Sequence, residues 1–449
     1  MSAAMAKTES RNPLHAVMDI RKRELPLALL MLAYFFLVIT TFWILKPIKK
    51  TVFIGYYTHH TFDIAALSLS GPQAELIAKV MNMVVAYVAV VVFSALARNL
   101  RREQLTFVFS AFFLAAFVYY SFALTSAGEA TVWSFYLFGD LFSTLMVATF
   151  FAFLNDSVEP NAAKRLYGII GLGGVAGGAF GSMFVAALID RVRIDAWMWV
   201  CCAIGIVIVI IAFAAGRLVP AGGPGVTKTA PPTEARSGNP ALEGARLVFH
   251  SPYLLSIVAI VGLYEIVSTT MDFQFTATVA HYLKGDAIGR QFTTVYAFTN
   301  GVALVVQLLL TSFVMTRFGL ATALVVLPVA ALGGSAAFLV LPTLLFGSLL
   351  NTADNAFSYS INQSAKEALY VPTTRDEKYK AKAFIDMFVQ RFAKALAVGV
   401  SLVLTTNFRD FSAVRWLSVF TGSIVVIWIW AAIYAGRHFR AMTEKRGRT

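Results

Sequence analysis

The chain has 449 residues, of which 58% are hydrophobic and only 14% charged, with a formal net charge of +13. Soluble domains carry about 25% charged residues, so this composition excludes a soluble enzyme of that length. The only cysteines are the neighbours Cys201 and Cys202 inside an apolar run, which excludes a disulfide framework and zinc-ligand spacing.

Residues 1–24 form a polar, basic N-terminal segment. Leu25 then opens an apolar stretch too long for a signal-peptide core, read as an uncleaved first helix. A membrane helix needs about 20 mostly apolar residues. Twelve stretches qualify: 25–45, 74–97, 104–125, 131–154, 166–189, 196–215, 252–283, 291–316, 320–341, 343–363, 383–406 and 412–436. The expected fold is all-α and polytopic, with 12 transmembrane helices in two six-helix halves, 25–215 and 251–436. Between them, 216–250 reads as a flexible Gly/Pro-rich linker, and 437–449 is a basic tail. Lysines and arginines number 25 on the side of the termini and eight on the other, with four inside spans. By the positive-inside rule both termini are expected in the cytoplasm, with the chain in a bacterial inner membrane. The positive charge thus reports topology and not nucleic-acid binding. The six histidines sit at span ends or outside them, so no metal, cofactor or catalytic cluster is expected, and the chain is read as a monomer and not an enzyme.

Charged residues at bilayer depth need a partner, water or a proton. Span 1 ends with Lys46, Pro47, Lys49 and Lys50. Either these lysines snorkel to the headgroups, or Pro47 breaks the helix and turns one or two of them into a central cavity that attracts an anion. Span 4 carries Asp140 at its middle, as a salt-bridge partner, a gate or a substrate-linked carboxylate. Span 5 carries Gly171, Gly174 and Gly178 among seven glycines at steps of three and four; such a strip lets another helix approach closely. Span 7 shows Glu265, Ser268, Thr269 and Asp272 at helical spacing, a polar stripe that lines a helix contact or a cavity. Span 10 adds Asn351, Asp354, Asn355, Ser358 and Asn362. Span 11 carries Asp386, Gln390, Arg391 and Lys394, one turn apart. Asp386 can neutralise one of these cations internally, while arginine beside lysine suits a multiply charged oxyanion. The candidate anion-binding residues are therefore Lys49, Arg391, Lys394 and Lys46. The candidate gating or coupling carboxylates are Asp140, Glu265, Asp272, Asp354 and Asp386.

Several of these segments resemble the bacterial and plastidic ATP/ADP exchange transporters, the nucleotide transporter family, which is itself major facilitator-like. The matching segments are Asn155 to Gly173, Asp272 to Phe275, Lys366 to Pro372, and Lys380 to Asp386 followed by Arg391 and Lys394. The resemblance implies two six-helix halves rocking around a midplane site and an anionic nucleotide or related phosphorylated metabolite moved by exchange. It matches Lys49 to the family's transport-relevant lysine and Asp140 to its helix-4 glutamate. Its acidic helix-1 positions are taken by Pro47 and Lys50. The helix-7 glutamate falls nearest Thr269, flanked by Glu265 and Asp272, and a second-half lysine corresponds to Lys366 or Lys394. Proton-driven transport of another organic anion is the alternative, and a scaffold or membrane-embedded enzyme is a third reading.

Overall fold

The computed structural model describes residues 24–64, 67–100, 102–158, 160–218, 240–374, 377–407 and 411–446. The first half comprises α1 (Leu25–Tyr56), α2 (Gly71–Asn99), α3 (Arg102–Ala123), α4 (Glu129–Ser157), α5 (Pro160–Leu188) and α6 (Ala196–Leu218). A short amphipathic helix, α7 (Pro240–His250), precedes α8 (Pro252–Tyr282), α9 (Asp286–Arg317) and α10 (Gly319–Val340). Expected spans 7 to 12 are thus α8 to α13. Helix α11 runs Leu344–Phe357, opens into a π turn at Ser358–Asn362 and resumes at Gln363–Leu369. Helix α12 is π-wound at Glu377–Ala381 and Ile385–Val389, and α-helical at Lys382–Phe384 and Gln390–Asn407. Helix α13 (Ser412–Arg446) closes the bundle.

Ten of these helices are long and apolar enough to cross a membrane by length and composition. The other two expected spans are α11 and α12, interrupted by π turns and richer in polar groups. Val84, Phe122 and Trp430 are 62%, 65% and 70% exposed on the outer surface. Such side chains are stable facing acyl chains and not water.

Three features depart from the expectation. A two-stranded antiparallel pair, β1 (Phe62–Ile64) and β2 (Leu67–Leu69), lies in the α1–α2 connection, and among the described residues these are the only strands. The linker expected to be flexible ends in α7, which packs against the Glu377–Ala381 turn: Lys380 pairs with Glu243 at 2.8 Å, and the α7 glycine Gly244 lies against the Lys380 carbonyl. Residues 219–239 of that linker, like 1–23 and 447–449, lie outside the described residues. Helix α1 also does not stop at residue 45; it passes through Pro47 to Tyr56. A proline removes one ladder hydrogen bond, a loss that a packed membrane bundle tolerates.

Each half has its own core, the first containing Tyr34, Phe113, Phe142 and Trp197, the second Ile257, Leu327, Tyr370 and Trp428. A third cluster belongs to both halves: Trp43, Phe53, Tyr57 and Tyr136 interlock with Phe275, Ile288, Phe292 and Tyr296. The polar contacts between halves run from mid-depth to this same end, opposite the termini. Arg391 donates to the carbonyl of Met83 (3.1 Å), Gln73 to Thr405 (3.1 Å) and Arg290 to Asp190 (3.1 Å).

The glycine strip of α5 brings it against α1, with its closest backbone contacts at Gly173, Gly177 and Gly181 and side-chain contacts at Gly174 and Gly178. Cβ atoms on Gly173, Gly177 and Gly181 would collide with the carbonyl oxygens of Leu32, Phe36 and Thr40 on α1, the last at 2.7 Å. Thr40 Oγ1 donates to the Gly177 carbonyl at 3.2 Å. Both series step by four, so two helix backbones touch along a straight ridge. Of the glycines singled out, Gly174 faces the Phe35 ring, Gly178 faces the Trp43 indole, and Gly171 faces open space. Gly177→Val is therefore expected to lower the melting temperature sharply or prevent folding, since overpacking costs about 1–3 kcal/mol even where it can be relieved. Gly171→Val should melt close to wild type. Similar melting of the two variants in detergent would refute the backbone ridge.

Candidate functional site

Between the halves lies a cavity of about 220 Å³, walled by α1, α2, α4, α8, α11 and α12. Helical spacing puts Lys46, Lys49 and Lys50 on one face of α1, because positions three and four apart share a face. All three line the cavity, joined by Lys79 from α2 and Lys394 from α12. The snorkelling reading does not describe them: Lys49 and Lys50 are 5% and 3% exposed.

Carboxylates meet these cations one by one. Lys49 pairs with Asp140 of α4 and lies over the Tyr136 ring at 4.4 Å. Its stem fits because position 139 is glycine; a Cβ there would stand 2.8 Å from Lys49 Cδ. Asn82 of α2 donates to the other Asp140 oxygen. Lys50 donates to both oxygens of Asp272 (2.9 and 3.0 Å) and to Thr276 Oγ1 (2.8 Å), with Glu75 at 3.3 Å. Lys79 also pairs with Asp272 and lies 3.7 Å from Glu75, which accepts from the Tyr136 hydroxyl at 2.8 Å. Asp272, on the second half, is thus clasped by two lysines of the first. Within the second half, Lys394 pairs with Glu265 at 3.0 Å.

Two groups stand outside these pairs. Among the described residues, no carboxylate lies within 4.0 Å of Lys46. Its ammonium donates to the Tyr359 hydroxyl at 3.3 Å and sits 4.4 Å over Trp43 and 5.0 Å over Tyr296, a cation–π environment. The Asp354 carboxylate, 3% exposed, accepts among the described residues only from Ser268 Oγ at 2.6 Å.

The expected residues therefore divide. Lys46, Lys49, Lys394, Asp140, Glu265, Asp272 and Asp354 converge on the cavity, as do Ser268 and Thr269 of the α8 stripe. Arg391 does not join the lining; its guanidinium is held by the Met83 carbonyl across the interface. Asp386 points outward beside Lys382 and Lys366, away from Arg391 and Lys394, and neutralises neither. The π winding of Ile385–Val389 contains Asp386 and immediately precedes Gln390 and Arg391, and such a turn shifts the register of a straight helix. Lys366 stacks over Tyr264 at 5.0 Å outside the lining, so of the two alternatives only Lys394 faces the cavity. Glu75, Lys79 and Asn82 were not singled out. Glu75 and Lys79, one turn apart in an apolar span, were the visible signal.

Five lysines and four carboxylates line the cavity, leaving one formal positive charge. It is wet in part: the side chains of Asp140 and Lys394 are 37% and 38% exposed. The arrangement can exchange a carboxylate partner for another anion at any of several lysines.

Comparison with known proteins places this geometry. The Major Facilitator Superfamily model matches residues 30–369, and the TLC ATP/ADP transporter model matches residues 335–439. The chain is 22% identical over 338 residues to the chloroplastic ADP,ATP carrier protein 2 of Arabidopsis thaliana, covering 67% of this chain and 54% of that one. It is 25% identical over 362 residues to ADP,ATP carrier protein 1 of Chlamydia muridarum, covering 70% and 66%. The chain thus spans about half the length of the plant carrier and just under two thirds of the chlamydial one. A bacterial homologue of the iron transporter ferroportin, solved in an inward-facing state, superimposes with a TM-score of 0.62 at 8% identity, covering 93% of this chain and all of that one.

Removing one partner of a buried ion pair costs about 3–5 kcal/mol when the remaining charge is stranded. Asp272→Asn leaves Lys50 and Lys79 to share Glu75 alone and should destabilise the purified protein by about 3 kcal/mol. Arg290→Ala, which breaks an exposed pair, should cost about 0–1 kcal/mol. Equal shifts in thermal melts would show that the Asp272 clasp holds nothing together.

Proposed function

Since the chain belongs to the Major Facilitator Superfamily and is a membrane transporter of that type, we propose that it moves an anionic nucleotide of the ATP/ADP kind, or a related phosphorylated metabolite, by alternating access and exchange. The observation that carries this reading is the convergence of five lysines on one cavity between the halves, with Lys46 left without a carboxylate. Lysines bind phosphate as point charges. The names of the ADP,ATP carrier relatives support the same cargo class.

The state described is closed by the shared aromatic cluster and the Asp272 clasp at the end opposite the termini. With the termini in the cytoplasm of a bacterial inner membrane, this is an inward-open carrier. At about 220 Å³ the cavity lies below the usual 300–1,000 Å³ of ligand pockets. A cavity of that size accommodates the phosphate end of a nucleotide and not the whole molecule. Exchange follows from the ion pairs: an empty carrier neutralises its lysines with its own carboxylates, and an incoming phosphate replaces them. Breaking the Asp272 clasp in this way frees the two halves to rock.

The second reading, proton-driven transport of another organic anion, draws on the four carboxylates of the lining. Liposomes holding the purified protein separate the two. Labelled ATP, ADP and simple organic anions are offered with and without internal counter-substrate, and nucleotide uptake that requires internal nucleotide is expected. Acid-driven movement of a different anion without nucleotide uptake would overturn the cargo assignment. Lys46→Gln should weaken nucleotide affinity about tenfold or more, the worth of one charged hydrogen bond. An unchanged affinity would remove Lys46 from the site.

A further inference from the structure

A second cavity, of about 260 Å³, lies apart from the central one, where the chain leaves the linker for α8. Its wall is Glu243, Arg246, Leu247 and His250 of α7, with Lys380 from the opening π turn of α12. The four α7 residues recur at steps of three and four, so one face of that helix is given to the cavity. Another face is given to protein. Val248 is fully buried, and a Cβ on Gly244 would stand 2.5 Å from the Lys380 carbonyl. The remaining face looks outward, and there Phe249 is 69% exposed.

The charge in this cavity is mostly positive. Lys380 pairs with Glu243 at 2.8 Å and Arg246 adds its guanidinium, so two cations meet one carboxylate. His250 Nδ1 lies 2.7 Å from the Arg246 carbonyl oxygen. A carbonyl only accepts, so this nitrogen carries a proton, and Nε2 is the ring nitrogen that a ligand can meet. We infer that the cavity binds the phosphate of an anionic phospholipid from the cytoplasmic leaflet. Arginine offers planar, paired donors to phosphate oxygens and lysine a point charge. Basic pockets on the cytoplasmic side of a membrane protein take lipid headgroups in this way.

Three observations favour a lipid over a soluble phosphate. Helix α8 opens at Pro252, two residues beyond His250, so the cavity stands where a membrane span begins. Phe249 presents a bare ring on the same short helix, and an aromatic ring beside basic residues anchors an interfacial helix among headgroups. The volume is below the 300–1,000 Å³ of pockets that enclose a whole small molecule. It suits a headgroup whose acyl chains stay in the bilayer. A phosphate held there joins α7, and through it the start of α8, to the start of α12. These two helices carry Asp272 and Lys394 to the central cavity, so the lipid braces the second half at its cytoplasmic end. The inference rests on the orientation proposed above and not on the cargo.

The test titrates the full chain in neutral detergent with phosphatidylglycerol or phosphatidylcholine and follows thermal melting. Phosphatidylglycerol should raise the melting temperature saturably, and phosphatidylcholine should not. Arg246→Gln, at an exposed position, should melt like wild type without lipid and need about tenfold more phosphatidylglycerol, the worth of one charge-assisted hydrogen bond. Arg317→Gln removes an exposed cation from the end of α9 and should leave the titration midpoint in place. Equal stabilisation by the two lipids, an unmoved midpoint in Arg246→Gln, or an equal shift in Arg317→Gln would overturn the site. Glycerol 3-phosphate that stabilises wild type but not Arg246→Gln would overturn the lipid in favour of a soluble phosphate. No step of this test requires transport, so its outcome is independent of whether the chain moves a nucleotide.

Discussion

The cost of an unpaired charge inside a membrane bundle governs this molecule. Each cation that α1 and α2 bring to depth must find an anion or a ring face, and the partners come from helices far away in sequence. Lys49 draws in α4 through Asp140, while Lys50 and Lys79 draw in α8 through Asp272. Lys394 ties α12 to α8 through Glu265. The network is at once a structural clasp and a place where a polar cargo finds charges to bind. A transporter gains from that identity, because what holds the halves together is also what cargo displaces.

The close contact of α1 with α5 makes the clasp possible. Glycines 173, 177 and 181 let α5 rest on the α1 backbone, and that contact fixes the rotation of α1 that turns Lys46, Lys49 and Lys50 inward together. The same rotation puts Trp43 and Phe53 into the aromatic cluster shared with α8 and α9. Position 139 has to be glycine for a related reason, since the Lys49 stem fills the space of its missing side chain.

Much of this was legible in the sequence where the signal is periodic. The spans, the α8 stripe of Glu265, Ser268, Thr269 and Asp272, and the sharing of a face by Lys46, Lys49 and Lys50 follow from the helical repeat. What the repeat does not carry is the rotation of one helix against another. The packing strip of α5 therefore fell on Gly173, Gly177 and Gly181, while Gly171 faces open space and Gly174 and Gly178 meet side chains. Pro47 misled in the opposite sense, because the surrounding bundle outweighs its local preference and α1 runs on to Tyr56. Arg391 and Asp386 do not reach the cavity; they lie beside and within a π turn, which no spacing rule on an ideal helix anticipates. Glu75 and Lys79 needed the three-dimensional neighbours Lys50 and Asp272 before their proximity acquired meaning.

The charge balance of the cavity bears on how such a carrier avoids leaking. A cavity of five bare lysines would hold any anion tightly and release it slowly. Four carboxylates bring the lining to one formal positive charge, so an incoming anion competes against groups already in place. Binding energy then appears only as the difference between cargo–lysine and carboxylate–lysine pairs, which keeps affinity moderate and occupancy reversible. The displaced carboxylates do not vanish; each must find water or a proton once its lysine is taken. Asp140, partly exposed, can turn to water, whereas Asp354, buried on α11 beneath the Ser268 hydroxyl, cannot. The difference in burial between these two carboxylates separates one that can rearrange toward water from one held in place by the Ser268 hydroxyl.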